Sequence, residues 1–285
     1  MNSKLAEIVT TPSLPPELFF VSAAEGQRFC IYHRAENTPA RGAILYVHPF
    51  AEELNKTRRM ANLQARAFAA MGYAVLQIDL LGCGDSSGEF ELATWKKWHE
   101  DLSIAWDFLR AKHDRIFLWG LRLGATLALD FAANHSCWPA GFLLWQPVLS
   151  GELYITQFLR LKVASEMIGG EGGGGVKELK EAVKQNKIVE VAGYRLNPDL
   201  VREIENVQLK RLTPQAENVV WIEMVSDEGQ AAPPAAQQVA DLWREAGVEL
   251  TFQTLAGPQF WATQEITDCP ALLEATNDQL EKLSP

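Results

Sequence analysis

The stretch Gly120-Leu121-Arg122-Leu123-Gly124 constrains this chain more than any other. It follows an apolar, strand-like run, Ile116-Phe117-Leu118-Trp119, and leads straight into helix-forming Ala125-Thr126-Leu127-Ala128-Leu129. Two glycines four positions apart let a strand turn sharply into a helix, which thrusts the residue between them over the sheet edge. In the pattern G-x-S-x-G that residue is a serine nucleophile, and here it is arginine. A guanidinium stays protonated and offers only donors, so it cannot attack an electrophile. The turn predicts a scaffold, and its central residue removes the chemistry usually mounted there.

The rest of the chain supplies that scaffold. Apolar runs of strand length fall at 29–33, 43–47, 74–78, 116–119, 141–145, 219–225 and 249–255. Helical spacing occupies 57–71, 95–112, 124–135, 234–246 and 271–283. Such alternation, with strands apolar on both faces, predicts a mostly parallel, doubly wound sheet. Residues up to about 34 supply a leading antiparallel hairpin. With 285 residues and 47% hydrophobic content, one large α/β core is expected. The rhythm breaks at 150–215, which carries helical spacing at 155–168, 176–187 and 199–206 around a glycine-rich tract, 169–175. That tract lacks the Lys-Ser/Thr ending of a phosphate loop and reads as a linker or hinge. The expected division is a core of 1–149 and 216–285 with a cap, or lid, of 150–215.

A net charge of −10 without a basic run argues against a nucleic-acid surface. Cys30, Cys83, Cys137 and Cys269 are scattered, with neither a C-x-x-C pair nor metal-like spacing. They read as reduced thiols of a cytoplasmic protein, with no metal and no cofactor expected. No secretory signal and no membrane span is expected either.

Taken together, strand alternation, elbow and inserted cap predict an α/β-hydrolase fold, in which nucleophile, acid and histidine follow in that chain order. Asp227, just beyond the run Val219-Val220-Trp221-Ile222-Glu223-Met224-Val225, stands in the acid's place. The histidine belongs after the last strand, where the sequence instead reads Ala256-Gly257-Pro258-Gln259-Phe260-Trp261. Pro258, or Gln259 one place on, takes its position. The five histidines are His33, His48, His99, His113 and His135, so none follows residue 135. A serine–histidine relay is therefore not expected.

Other parts of the pattern remain. Tyr46-Val47-His48-Pro49-Phe50 ends a strand where these enzymes carry their oxyanion loop, which makes His48 and Phe50 candidates for the site. A backbone-ordering role for His48 competes with acid–base work. Asp79-Leu80-Leu81-Gly82-Cys83-Gly84-Asp85-Ser86 reads as a structural turn, with Asp85 or Ser86 as catalysts the lesser alternative. Glu52 and Glu53 start a helix beside Lys56 and Arg59, either as solvated ion pairs or with Glu53 over the pocket floor. Gln146, Trp145 and Trp261 lie at strand ends that line the same rim.

The segments His48-Pro49-Phe50-Ala51-Glu52-Glu53-Leu54-Asn55-Lys56-Thr57-Arg58-Arg59-Met60, Gln77–Ser86, Gly120–Gly124 and Gly257–Trp261 together resemble the exosortase A system-associated hydrolase 2 family. That family shares the fold with serine aminopeptidases and acyl-esterases. The resemblance implies a role beside exopolysaccharide synthesis or protein sorting, and its name implies a hydrolase. Arg122 itself has two readings. It forks onto Asp227 in a closed ion pair, or it holds the carboxylate or phosphate of a small anionic ligand beneath the cap. Oligomeric state has no signature in the sequence. The site candidates are Arg122, His48, Phe50, Glu53, Gln146, Asp227, Gln259 and Trp261, with Pro258 the third triad-equivalent position. The alternatives are a regulatory anion-binding module and a hydrolase with non-serine chemistry.

Overall fold

The computed structural model describes residues 14–135, 137–169 and 174–283. Most of the glycine tract and the first thirteen residues, on which the hinge and leader expectations fall, lie outside the described residues.

Eight strands form one sheet in the order β1-β2-β4-β3-β5-β6-β9-β10. β1 (Glu17–Ser22), β2 (Gln27–His33) and β4 (Tyr73–Ile78) pair antiparallel in that sequence. From β4 onward every pairing is parallel, through β3 (Gly42–Val47), β5 (Ile116–Leu121), β6 (Gly141–Trp145), β9 (Val219–Val225) and β10 (Leu250–Ala256). β3, β5, β6 and β9 are buried along their whole length. Their alternate side chains feed two cores: Leu45 and Val47 pack on one face of the sheet, Ile44 and Tyr46 on the other. Helices fill both faces, which is why these strands read as unbroken apolar runs.

The helices are α1 (Glu52–Ala70), α2 (Trp95–Arg110), α3 (Leu123–Asn134), α4 (Gly151–Ile168), α5 (Val176–Lys184), α6 (Pro198–Asn206), α7 (Pro234–Glu245) and α8 (Pro270–Lys282). α1 begins five residues before the predicted start at 57. Glu52 and Glu53 lie in its first turn, where carboxylates complement the helix dipole. The sequence reading also passed over a hairpin, β7 (Val189–Val191) with β8 (Tyr194–Leu196), whose strands of three residues are too short to show a period.

Between β6 and β9 run α4, α5, the hairpin and α6. The ends of this insertion are tied together: Ser150 bridges to Gln208, and the Gly151 amide donates to the Val207 carbonyl at 2.9 Å. An alanine Cβ at Gly151 would meet the Ile204 carbonyl oxygen, so only glycine lets α4 start there. Aromatic packing docks the insertion onto the core. Phe50 meets Tyr154 and Phe158 edge-on at 6.0 and 5.2 Å, and Phe90 meets Tyr194 at 5.1 Å. Among the described residues no helix is long and apolar enough to cross a membrane.

Candidate functional site

The elbow forms as its glycines require. A Cβ on Gly124 would lie 2.3 Å from the Val47 carbonyl oxygen, and one on Gly120 would lie 2.4 Å from the Ala125 Cα. Arg122 between them has φ 56 and ψ −125, a conformation that costs a side-chain-bearing residue about 1–3 kcal/mol. Its amide donates to the Trp145 carbonyl at 2.9 Å, and its carbonyl accepts from Ala125 at 3.1 Å. Among the described residues five non-glycine residues have positive φ; Arg122 and Gln146 directly follow β5 and β6, and Ala51 lies four residues past the end of β3. Backbone strain is thus concentrated at the carboxyl edge of the sheet, where ligands bind in folds of this type.

The Arg122 side chain turns toward α1 and α4. Its Nε lies 3.4 Å from Glu53 Oε1, with both side chains more than four-fifths buried. The guanidinium carbon stands 5.5 Å from the Tyr154 ring centroid and 5.3 Å from that of Trp261. Two such faces contribute about 0.5–2 kcal/mol each. Among the described residues Nη1 and Nη2 have no hydrogen-bond acceptor, so four of the five guanidinium N–H groups remain available. Burial pushes the Glu53 carboxyl above its ordinary range, and the Arg122 charge pulls it back. The Tyr154 hydroxyl also bears on that carboxylate, and burial chiefly holds its pKa well above that of a free phenol.

Two cavities meet at Arg122. One, of about 340 Å³, is bounded by Glu53, Lys56, Phe158, Gln259 and Trp261. The other, of about 390 Å³, runs past Gln146, Val148, Leu153, Glu223 and Gln238. Arg122, Tyr154 and Gln157 belong to the walls of both. No histidine lines either one.

Of the predicted site residues, Arg122, Glu53, Gln259 and Trp261 come together around the first cavity, and Gln146 joins Arg122 in the second. His48 does not reach either. It is buried beneath the edge, where Nδ1–H donates to the Pro49 carbonyl at 2.8 Å and Nε2 accepts from the Leu80 amide at 3.2 Å. Those partners define a neutral ring that orders backbone, and burial lowers its pKa further. Phe50 is buried in the aromatic cluster and lines neither cavity. Asp227 corrects an expectation: it lies exposed in a turn beyond β9, its amide facing Gln230 Oε1 at 3.3 Å, and the ion partner of Arg122 is Glu53. Pro258 is exposed in the loop before Phe260. Ser86 and Asp85 hold a turn, with Ser86 Oγ accepting from the Phe29 amide at 2.8 Å and the Asp85 amide donating to Asp79 at 3.0 Å.

Sequence reasoning missed Tyr154, Gln157 and Glu223. The first two come from α4, whose docking face is a tertiary property. Glu223 carried a signal, being a charged residue in the middle of a long apolar strand. It is 2% exposed. Its oxygens accept from Gln146 Nε2 at 2.9 Å and Trp221 Nε1 at 2.8 Å. Burial raises its pKa to about 7 against these hydrogen bonds and the Arg122 charge. Gln146 is clamped in turn, since its Oε1 accepts from the Met224 amide at 2.6 Å.

Residues 38–209 match the family model described as serine aminopeptidase, S33. A thermostable monoacylglycerol lipase from Bacillus sp. (strain H-257) is 26% identical over 209 residues, covering 70% of this chain and 74% of the lipase. A soluble variant of monoglyceride lipase from Saccharomyces cerevisiae superposes with a TM-score of 0.65 at 14% identity, over 97% of this chain and 98% of that one. Est1E from Butyrivibrio proteoclasticus, bound to ferulic acid, gives 0.65 at 15% identity, over 93% and 98%. At such identities these two likenesses establish the α/β-hydrolase fold and nothing finer.

Proposed function

The chain belongs to the serine aminopeptidase S33 family of α/β-hydrolases, and from that premise we propose that it binds an anionic ligand through Arg122 without forming an acyl-enzyme. One observation carries this proposal: a strained elbow holds a guanidinium between two cavities with its terminal nitrogens unmatched by protein acceptors. The Arg122 side chain is more than four-fifths buried, and its four unmatched N–H groups are placed to donate to an acceptor that enters beside it. Leu123 opens α3, so its amide has no acceptor within the helix and adds the positive end of the dipole at the same point.

Residues 150–215 act as the cap over this site. Position 122 carries no nucleophile and position 258 no base, so the triad is degenerate and the protein is a binding or regulatory module. The monoacylglycerol lipase relative supports an apolar arm on the ligand, since Val148, Leu149, Leu153 and Val239 line the larger cavity. The resemblance to the exosortase A system-associated hydrolase 2 family supports a role for this binding beside exopolysaccharide or sorting functions, in the cytoplasm.

A fluorophosphonate probe tests the chemistry, and we expect no covalent labelling. A labelled serine would overturn the non-catalytic half of the proposal. Thermal shift with inorganic phosphate and octanoate tests the binding half. Stabilisation by at least one of them in the wild type, and by neither in Arg122→Ala, is expected. Equal stabilisation of both proteins, or of neither, overturns it.

A further inference from the structure

Arg122 does not close the bottom of a single cavity. It stands in the wall between two of similar size, about 340 and 390 Å³, and lines both. A ligand with a terminal charge, such as a fatty acid or a phosphomonoester, places its one arm in one cavity and leaves the other unused. A carboxylate carbon bears a single substituent, so its charge is always terminal. The phosphorus of a diester bears two substituents, with the charge between them.

Charge balance points the same way. Arg122 Nε already faces Glu53 at 3.4 Å, so the guanidinium is partly compensated before any ligand arrives. A dianion would bring two negative charges against one shared cation and a nearby carboxylate. A monoanion brings one. A phosphodiester is a monoanion across the working pH range, and its two non-ester oxygens suit the two terminal nitrogens of a guanidinium fork.

We infer that the ligand is a phosphodiester, its phosphate on Arg122 and its two organic arms in the two cavities. The inference rests on the anion-binding proposal and specifies its ligand class. The larger cavity takes an arm with an apolar body, against Val148 and Val239, and hydrogen-bonding groups that meet Gln146 and Gln208. The smaller takes an arm lying along Phe158 and Trp261.

Titration calorimetry with inorganic phosphate, monobutyl phosphate and dibutyl phosphate tests this. The proteins are the wild type, Arg122→Ala, Ala235→Trp and Ala262→Trp. Ala235 lines the larger cavity and Ala262 the smaller, and both are exposed, so an indole at either narrows a cavity without entering the core. Dibutyl phosphate should bind the wild type at least about tenfold more tightly than monobutyl phosphate, because a second arm is buried. Each tryptophan should bring the diester to within about threefold of the monoester. Equal affinity for the two esters, or indifference of the diester to both tryptophans, overturns the two-arm inference. Anion binding at Arg122 then survives provided Arg122→Ala still weakens the esters. Affinities unchanged in Arg122→Ala, or no binding of any probe, overturn both.

Discussion

Arg122 inherits a position that evolved geometry makes conspicuous: a positive φ, glycines on either side that admit no Cβ, and the first turn of α3 behind it. Restoring a hydroxyl there does not restore a relay. A serine at 122 needs a general base within hydrogen-bond reach, and the nearby candidate, His48, already spends both nitrogens on the Pro49 carbonyl and the Leu80 amide. Burial also keeps it neutral by depressing its pKa, and its ring lies outside both cavities. Arg122→Ser should therefore hydrolyse p-nitrophenyl butyrate no faster than the wild type, within about threefold, where an activated serine would gain about 100-fold or more. Turnover well above that level would show that some other group serves as base. The same substitution removes the charge that opposes the burial of Glu53, so it isolates what the cation does at this edge.

At the scale of elements, aromatic edges dock the insertion onto the core. Phe158, 7% exposed, contributes from α4 to a cluster with Phe50, and Phe50 in turn meets Phe90 and Trp98. Phe158→Ala should cost about 3–5 kcal/mol of docking energy. Because the ends of the insertion are tied by their own bridge at Ser150 and Gln208, the loss should stay local. Hydrogen exchange should speed up across residues 150–208 while β3, β5 and β6 keep their protection. Uniform acceleration would mean that insertion and core open as one unit. This boundary also separates what the sequence made legible from what it did not. The strands of the sheet and the elbow are written in local periodicity and in glycine spacing. The pairing of Arg122 with Glu53 is not, because it depends on how α1 and α4 converge over β5. Expecting Asp227 as its partner followed chain order, but Asp227 sits two residues past the end of β9, in solvent. Glu223 was legible as an anomaly, a charge in an apolar strand, though not as a neighbour of the site.

Over the whole molecule, two buried titratable groups impose opposite pH dependences on stability. Glu223 rises from an ordinary 4.5 to about 7 through burial, so the folded state holds a proton that the unfolded chain releases. Its contribution is full below pH 4.5 and is lost as pH climbs to about 7, a change of about 3 kcal/mol. His33 falls from 6.5 to about 4, again chiefly through burial, with the Arg66 charge adding to it. Its contribution is present above 6.5 and is lost as pH drops toward 4. Across pH 4.5–6.5 these two slopes oppose each other, and a wild-type profile alone isolates neither. Glu223→Gln separates them. The amide turns its NH2 toward either Gln146 Nε2 or Trp221 Nε1, both donors, which costs stability equally at every pH. What varies with pH is the buried carboxylate that the variant no longer has. Urea denaturation should therefore find the variant gaining on the wild type by about 3 kcal/mol between pH 4.5 and pH 8. A constant difference would mean that Glu223 ionises near its ordinary pKa, and that the larger cavity is floored by a charge at neutral pH.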